Sequence, residues 1–244
     1  MTGYIFLFFS IAACIVVSFF LYQRAANWVL DWLDAYNVSH SEAWQNIELR
    51  LAILAKKARI ALPSLYILPE FSPNAMVLSH GYGRSKYFIV LTEGLINTLT
   101  HKELDAVLCL CLAQTQSSFV KQGAVLSFLA YPFCWFLESL PRGFWFFFAP
   151  LLRGFLNFLT RPQKILEIDK EAQKLLGSGA ELAAALQKIA ILSKKMPLRR
   201  WSLAFDHLFL VSPLQMQSEA LCFFPKQPSI AERREKILAR TLAC

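Results

Sequence analysis

The fold of this chain is decided by the stretch Thr100-His-Lys-Glu-Leu-Asp-Ala-Val-Leu-Cys-Leu-Cys-Leu-Ala-Gln114. Thr100, followed three residues later by Glu103, forms a capping box in which the hydroxyl accepts a bond from an orphan amide and the carboxylate reaches back to the cap. We therefore predict a helix from His101 to about Ser118. This helix gives the register from which the rest of the chain is interpreted.

Upstream of this helix, the pattern changes from helical to extended. Apolar positions from Glu42 to Arg59 follow helical spacing. The alternating stretch from Ser64 to Leu68 predicts a strand, and Ala75 to His80 with Lys86 to Thr92 predict a β-hairpin. Gly81-Tyr-Gly83 supplies residues that tolerate positive φ between the two arms. The sequence thus predicts a helix followed by a small sheet.

Downstream, the chain returns to helical periodicity. Leu166 to Leu192 is helical by period, with a break at Gly177-Ser-Gly179 after which the helix resumes at Ala183. Ile230 to Leu242 predicts a charged final helix. The prediction is a mainly helical second half.

A long apolar segment lies near the amino terminus. Tyr4 to Tyr22 carries no charge and is long enough to cross about 30 Å of hydrocarbon. The alternative is a cleaved signal peptide, but no basic region precedes the segment, and Gln23-Arg24 stands where small cleavage-site residues are expected. We therefore predict a retained membrane helix.

A second apolar tract runs from Gly123 to Leu159. It is interrupted by Glu138-Ser-Leu-Pro-Arg142, where charges and helix breakers cluster, so it predicts a helical hairpin. Each arm is short for a full span and Arg153 lies inside the second arm, which leaves a re-entrant or interfacial hairpin open beside a spanning one.

Charge and composition bound the location and the partners. Hydrophobic residues make up 56% of the chain, and Lys and Arg outnumber Asp and Glu by 25 to 17. The basic excess lies outside the apolar tracts, which predicts cytoplasmic soluble segments. The charges are dispersed and form no nucleic-acid motif, so contact with an anionic lipid bilayer is the simpler expectation. The spacing of the six cysteines resembles no disulfide framework and fits a reducing compartment.

Three aromatic residues, Trp28, Trp32 and Tyr36, recur every four positions after the first apolar segment. On a continuous helix they would share one face, either as an interfacial aromatic belt or as a packing stripe. The sequence leaves both interpretations open.

Several short blocks resemble one known family. They are Pro73-Asn-Ala75, Leu91-Thr-Glu-Gly-Leu95, Glu103-Leu-Asp-Ala-Val-Leu108, Asp169 with Leu175-Leu-Gly177, His207-Leu-Phe-Leu-Val-Ser-Pro213 and Pro228-Ser-Ile-Ala-Glu-Arg-Arg234. In this order and at these spacings they resemble the HtpX-like membrane zinc metallopeptidases, which are gluzincins related to the prenyl-protein endopeptidases. The resemblance covers roughly residues 49–238.

The resemblance implies an α+β membrane protein with a mainly helical gluzincin-like fold and a small β-sheet or hairpin. We predict an N-terminal transmembrane helix over residues 1–23 and the first half of a peptidase-like domain over 24–118. The hydrophobic hairpin covers 119–160, and the second half of the peptidase-like domain covers 161–244. Both halves are predicted on the cytoplasmic side of a bacterial inner membrane.

The catalytic residues that the resemblance implies are missing. In a zincin, HExxH places two imidazoles on one helical face to hold zinc, and the glutamate between them polarises water. Here the motif falls on Leu110-Cys-Leu-Ala-Gln114, so Leu110 and Gln114 replace the histidines and Cys111 replaces the glutamate. The family's third ligand falls on Ile165, and the histidine of its C-terminal His-Pro falls on Gln227. We predict no metal, no cofactor and no catalytic residues.

Other residues offer no obvious replacement. No two of His40, His80, His101 and His207 have the i, i+4 relation of a zinc helix. Cys109 and Cys111 point to different faces of a helix and are interpreted as buried inert thiols.

The leading functional hypothesis is a pseudopeptidase: a non-enzymatic membrane interaction, scaffold or regulatory subunit. Its predicted partner-binding residues are Pro73, Asn74, Ala75 and Met76, because the resemblance makes this strand edge a surface for β-augmentation. The expected partners are other membrane proteins, either a membrane protease or a multisubunit assembly. The alternative is a divergent metalloendopeptidase with a non-standard or partner-supplied metal site. A lipid-binding or channel accessory role rests only on aromatics such as Trp145 and Phe146.

Overall fold

The computed structural model describes residues 2–38, 42–80, 86–139, 163–202, 204–213 and 228–242. Helices and a single sheet make up this part of the chain. The helices are α1 (Thr2–Leu33), α2 (Gln45–Ala58), α3 (Glu93–Thr98), α4 (His101–Thr115), α5 (Ser118–Ser139), α6 (Gln163–Leu176), α7 (Ala180–Lys195) and α8 (Ile230–Leu242), with 3₁₀ turns at Glu42–Trp44 and Asp206–Leu208. The strands are β1 (Tyr36–Asn37), β2 (Ser64–Leu68), β3 (Ala75–His80) and β4 (Lys86–Thr92).

The sheet has the order β1-β2-β4-β3. β2 runs parallel to β4, and β3 is antiparallel to β4 in a register that pairs Ala75 with Leu91 and His80 with Lys86. The predicted strand from Ser64 to Leu68 and the predicted hairpin arms are therefore confirmed. The glycine turn between the arms lies outside the described residues.

Both faces of this sheet are buried, because helices cover each side. Successive side chains of a strand point to opposite faces. Ala75, Val77, Ile89 and Leu91 accordingly join the main core with α2, α4, α6 and α7. The alternate residues Met76, Leu78, Phe88 and Val90 join a second core with α1 and α5. This two-sided burial explains why β3 and β4 are almost continuously apolar.

Helix α4 lies at the centre of the main core and contacts α2, α6, α7 and β3. Its predicted capping box is present: Glu103 N donates to Thr100 Oγ1 and Thr100 N donates to Glu103 Oε2. The helix is buried nearly all round from Ala106 to Ala113, as expected of a helix without a polar face. Helix α4 ends at Thr115, slightly before the predicted limit of about Ser118. Helix α5 begins at Ser118.

The predicted helices of the second half are also confirmed. The break between α6 and α7 falls at Gly177, whose φ of 84° is a left-handed conformation that favours glycine at a helix end. Helix α8 occupies Ile230–Leu242, as the sequence predicts.

Two of the three aromatic residues after the first apolar segment, Trp28 and Trp32, pack against α5. Trp28 packs edge-on against Phe128 of α5, at 5.0 Å between ring centroids, and Trp32 Nε1 donates to Tyr131 Oη at 3.1 Å. Tyr36 does not share their helical face, because α1 ends at Leu33 and the chain turns through Asp34 at a φ of 57°. The structure thus decides between the two interpretations for Trp28 and Trp32 and corrects the placement of Tyr36.

Within the described part of the chain, no helix combines the length and the apolar character needed to cross a bilayer. The predicted membrane helices are therefore not confirmed and stay predictions. Helix α1 runs unbroken through the predicted domain limit at residue 23. The turn and the second arm of the predicted hairpin lie largely in residues 140–162, outside the described residues.

Candidate functional site

The predicted degenerate positions lie on two helices that pack against each other, α4 and α6. Leu110 and Cys111 are completely buried in α4, and Gln114 near its end is partly exposed. Ile165 is partly buried in the first turn of α6. Gln227 lies outside the described residues. The structure thus brings the two helices together but places hydrocarbon at Leu110 and Ile165.

Burial makes the thiols of α4 poor nucleophiles. It raises the pKa of Cys111 to about 12 and that of Cys109 to about 11. A thiol reacts and binds metal as the thiolate, so both groups stay protonated and inert near neutral pH. Neither cysteine has the environment of a catalytic residue.

The residues at this position do not fit a zinc ion. Zinc requires several nitrogen, sulfur or carboxylate ligands converging within about 2.0–2.3 Å of one point. Leu110 and Ile165 offer no donor atom, and Cys111 is held protonated. Among the described residues, no group of three His, Cys, Asp or Glu side chains could hold a metal ion.

A cavity of about 320 Å³ opens between the end of α4 and α6. Ala113, Gln116 and Ser117 line one side of it, and Lys164, Glu167, Ile168 and Glu171 line the other. Glu171 pairs with Lys174 at 2.7 Å. The cavity lies next to the degenerate positions. Its lining has both basic and acidic side chains, but among the described residues no set of ligands converges on one point.

The predicted partner-binding residues are buried and firmly held. Asn74, Ala75 and Met76 are each 1% exposed. Ser193 Oγ of α7 donates to Pro73 O at 3.0 Å. Asn74 N donates to Thr92 Oγ1 at 2.8 Å, and that hydroxyl donates back to Asn74 O at 3.0 Å. Because the Thr92 hydroxyl also caps α3, it ties the start of β3 to the end of β4.

The chain's own segment Phe209–Val211 lies along this edge of β3. Met76 forms an antiparallel bridge with Phe209, and Leu210 N donates to Ala75 O at 2.7 Å. The Asn74 side chain donates to Val211 O at 2.7 Å and accepts from Val211 N at 3.2 Å. The chain itself therefore occupies the edge beside Asn74, Ala75 and Met76, and partner binding there stays a prediction.

A buried ion pair also contacts this segment. Arg233 of α8 donates from Nε and Nη2 to the two carboxylate oxygens of Asp169 in α6, at 2.8 and 2.7 Å. Its Nη1 donates to Leu210 O at 3.0 Å. The sequence places both residues in blocks that resemble one family but does not reveal their contact. The only sequence feature that pointed to this contact was the presence of Asp169 and Arg233 in two of these blocks.

The three histidines that the structure describes have separate structural settings. His80 stacks on Phe88, and His101 is exposed, with its carbonyl accepting from Arg50. His207 Nε2 lies 3.3 Å from Gly123 O and 3.5 Å from Ser127 Oγ, and burial lowers its pKa to about 4. They do not converge on one point; His40 lies outside the described residues.

Comparison with solved structures defines the class of fold. The crystal structure of Ste24p from S. mikatae matches 95% of this chain with a TM-score of 0.56 at 16% sequence identity. The chain spans 58% of the length of that protein. The protein therefore has a Ste24p-like fold, mostly helical with a small mixed sheet.

Curated proteins also resemble this chain over most of its length, although no family model matches it. The protease HtpX homolog of Pyrococcus abyssi is 25% identical over 220 residues, which cover 82% of this chain and 75% of the relative. That of Pelotomaculum thermopropionicum is 27% identical over 211 residues, covering 78% and 73%. The chain is a homologue of the HtpX proteases, which confirms the family resemblance found in the sequence.

Proposed function

We propose that this protein is a catalytically inactive HtpX homologue that serves as a non-enzymatic membrane interaction, scaffold or regulatory subunit. The observation that carries the proposal is the complete burial of Leu110 and Cys111 where the family's first histidine and its glutamate would stand. Hydrocarbon at a ligand position removes both the metal and the water that it would activate.

The replacements also favour a helix that is kept for structural reasons. A buried histidine or glutamate without its metal leaves polar groups unsatisfied, at a cost of about 1–3 kcal/mol each. Leu110 and Ile165 avoid that cost. Selection for a stable fold without metal accounts for apolar residues at both positions.

The framework around the degenerate positions argues that the fold still serves a purpose. The capping box of α4, the Asn74–Thr92 contacts and the Asp169–Arg233 pair are all intact. These contacts position helices and an edge strand, and none requires a metal. A binding role can therefore outlast hydrolysis.

Membrane association is part of the proposal. It is supported by large apolar side chains that stay exposed on α1 and α5, namely Phe9, Val16, Val17, Phe19 and Phe20 on α1 and Leu129, Phe133, Trp135 and Phe136 on α5. Exposed apolar side chains of this size fit contact with lipid or another membrane protein. We place the peptidase-like part on the cytoplasmic side of a bacterial inner membrane.

Metal content and proteolysis test the proposal directly. The purified full-length protein is dialysed against micromolar zinc, analysed for bound metal and incubated with casein, with and without a chelator. The Pyrococcus abyssi HtpX homolog serves as a parallel control. We expect far less than one zinc per chain and no chelator-sensitive cleavage. Near-stoichiometric zinc or chelator-sensitive cleavage would contradict the proposal.

The partner is sought by crosslinking in native membranes followed by purification and mass spectrometry. We expect a membrane protease or the subunits of one membrane assembly to be recovered repeatedly. The purified complex is then analysed for zinc. Zinc that appears only in the complex and supports cleavage would favour the alternative of a partner-supplied metal site.

A further inference from the structure

The backbone of the dipeptide Leu210-Val211 is fully hydrogen-bonded, and its two side chains are buried in the main core. Leu210 N donates to Ala75 O, and Arg233 Nη1 donates to Leu210 O. The carboxamide of Asn74 both donates to Val211 O and accepts from Val211 N. All four backbone polar groups of the dipeptide are thus satisfied by groups outside it.

These contacts have the chemistry of a receptor for an extended strand. Backbone hydrogen bonds along a sheet edge do not depend on the side chains of the bound segment. The two side chains are buried as well, since Leu210 is 2% and Val211 is 1% exposed, so any segment that replaced them would have to fill the same space. The site therefore accepts a large aliphatic residue followed by a β-branched one.

The occupying segment is short and irregular. It makes an isolated bridge with β3, between Phe209 and Met76, and is not one of the four strands of the sheet. The 3₁₀ turn Asp206–Leu208 precedes it, and Pro213, which has no amide hydrogen, follows shortly after. A pairing of this length is easier to open than the full β3–β4 ladder.

We propose that Leu210-Val211 is an internal occupant of the peptide-binding edge, and that an extended aliphatic segment of a partner protein replaces it by strand exchange. This inference rests on the proposed function, because it names the partner chemistry of the same edge. An attached segment acts at a millimolar effective concentration, so the resting protein is closed to free peptides at micromolar concentration.

Peptide binding tests the exchange. The probe is a fluorescein-labelled peptide with the sequence of residues 207–213, His-Leu-Phe-Leu-Val-Ser-Pro, and binding to full-length protein in detergent is followed by anisotropy. Leu210→Pro removes the amide that bonds Ala75 O and should release the internal segment. We expect this variant to bind the peptide at least ~10-fold more tightly than the parent protein.

Two controls define the binding site. Asn74→Ala in the Leu210→Pro background removes the carboxamide contacts and should abolish most of the gain. A peptide with proline in place of its second leucine cannot donate to Ala75 O and should not bind. Equal peptide affinity of the parent and Leu210→Pro proteins, or a gain that survives Asn74→Ala, would overturn the inference.

Hydrogen exchange on the unaltered protein decides the question if Leu210→Pro does not fold. Amides of residues 209–211 should exchange at least ~10-fold faster than those of β4, because the segment opens without global unfolding. Equal protection of the two regions would make the segment a permanent strand and refute the inference. Zinc binding and casein cleavage test the proposed function separately, since neither readout depends on strand exchange.

Discussion

Arg233 and Asp169 form a bidentate ion pair in which both side chains are only 1% exposed. The pair joins α8 to α6, and the remaining guanidinium nitrogen holds Leu210 O at the edge of β3. One arginine therefore connects three parts of the fold that lie far apart in the sequence. This contact is a buried polar tie within the described core.

Breaking the ion pair should be strongly destabilising. Asp169→Asn leaves the buried guanidinium without its counter-charge, and we expect a loss of about 3–5 kcal/mol in the free energy of unfolding. Denaturant titration of the detergent-solubilised protein, followed by tryptophan fluorescence, measures it. The double change Asp169→Leu with Arg233→Met removes both charges and should be less damaging than Asp169→Asn.

A matched control is available in the same helix. Lys236 pairs with Glu232 at 2.8 Å, but both side chains are about half exposed. Lys236→Ala should therefore change the unfolding free energy by less than about 1 kcal/mol. If Lys236→Ala and Asp169→Asn reduce the unfolding free energy by similar amounts, burial of the Asp169–Arg233 pair does not explain its contribution.

Glu103 should contribute a pH-dependent share of stability. Burial alone would raise its pKa, but hydrogen bonds from Lys188 and Thr100 outweigh burial and hold the pKa below its usual range. The stabilisation is therefore complete above about pH 4.5, the ordinary value, and is lost as the pH falls through the lower folded-state pKa. Glu103→Gln should cost about 1–2 kcal/mol at pH 7 and progressively less in acid.

Unfolding curves collected between pH 3 and pH 7 check this expectation. The control is Glu171→Gln, which alters an exposed i, i+3 pair with Lys174 on α6. It should change stability by less than about 0.5 kcal/mol. If Glu103→Gln reduces the unfolding free energy as much at pH 3 as at pH 7, the charge of Glu103 is not the cause.

His207 should make the fold sensitive to mild acid. Burial lowers its pKa to about 4, against an ordinary value of 6.5, so the unfolded chain binds the proton more tightly than the folded protein. The stability associated with neutral His207 is full above about pH 6.5 and is lost as the pH falls towards 4. We expect a loss of about 1–3 kcal/mol over this interval, smaller in His207→Gln.

The difference in stability between His207→Gln and the parent protein reports on His207 alone, because both proteins have the same carboxylates. Exposed His101→Gln is the matched control and should follow the parent curve. If the parent and His207→Gln proteins lose stability in parallel between pH 6.5 and 4, protonation of His207 is not responsible.

Local sequence signals predicted most of the fold. The alternation in β2, the β-forming residues of β3 and β4, and the glycine break between α6 and α7 each depend on neighbouring residues. The capping box of α4 depends on two residues three positions apart. Periodicity failed at Tyr36, because it cannot reveal that Asp34 adopts a positive φ and ends the helix.

The contacts that define the candidate site were not predictable in the same way. Arg233 lies in a charged helix and has the sequence context of a solvent-exposed residue, yet its partner Asp169 is 64 positions away. Asn74 and Val211 are 137 positions apart. Family resemblance marked Asn74 as important, but only the tertiary structure reveals that the chain itself occupies the adjacent edge.

Rebuilding the metal site gives the most demanding test of the assigned register. The quadruple change Leu110→His, Cys111→Glu, Gln114→His and Ile165→Glu places two imidazoles on one face of α4 and a carboxylate at the third ligand position on α6. We expect this variant to bind close to one zinc per chain. A control with Cys109→His in place of Leu110→His has the same kinds of ligands at the wrong helical spacing and should bind little.

Without zinc, the rebuilt protein should be less stable than its parent, because a polar ring replaces Leu110 in a completely buried position. Added zinc should restore stability in the quadruple variant alone, since only a correctly formed site converts binding energy into folding energy. Thermal unfolding with and without zinc, together with metal analysis, separates the outcomes. Equal zinc binding by the rebuilt variant and the misplaced control would show that the register assigned to α4 is wrong.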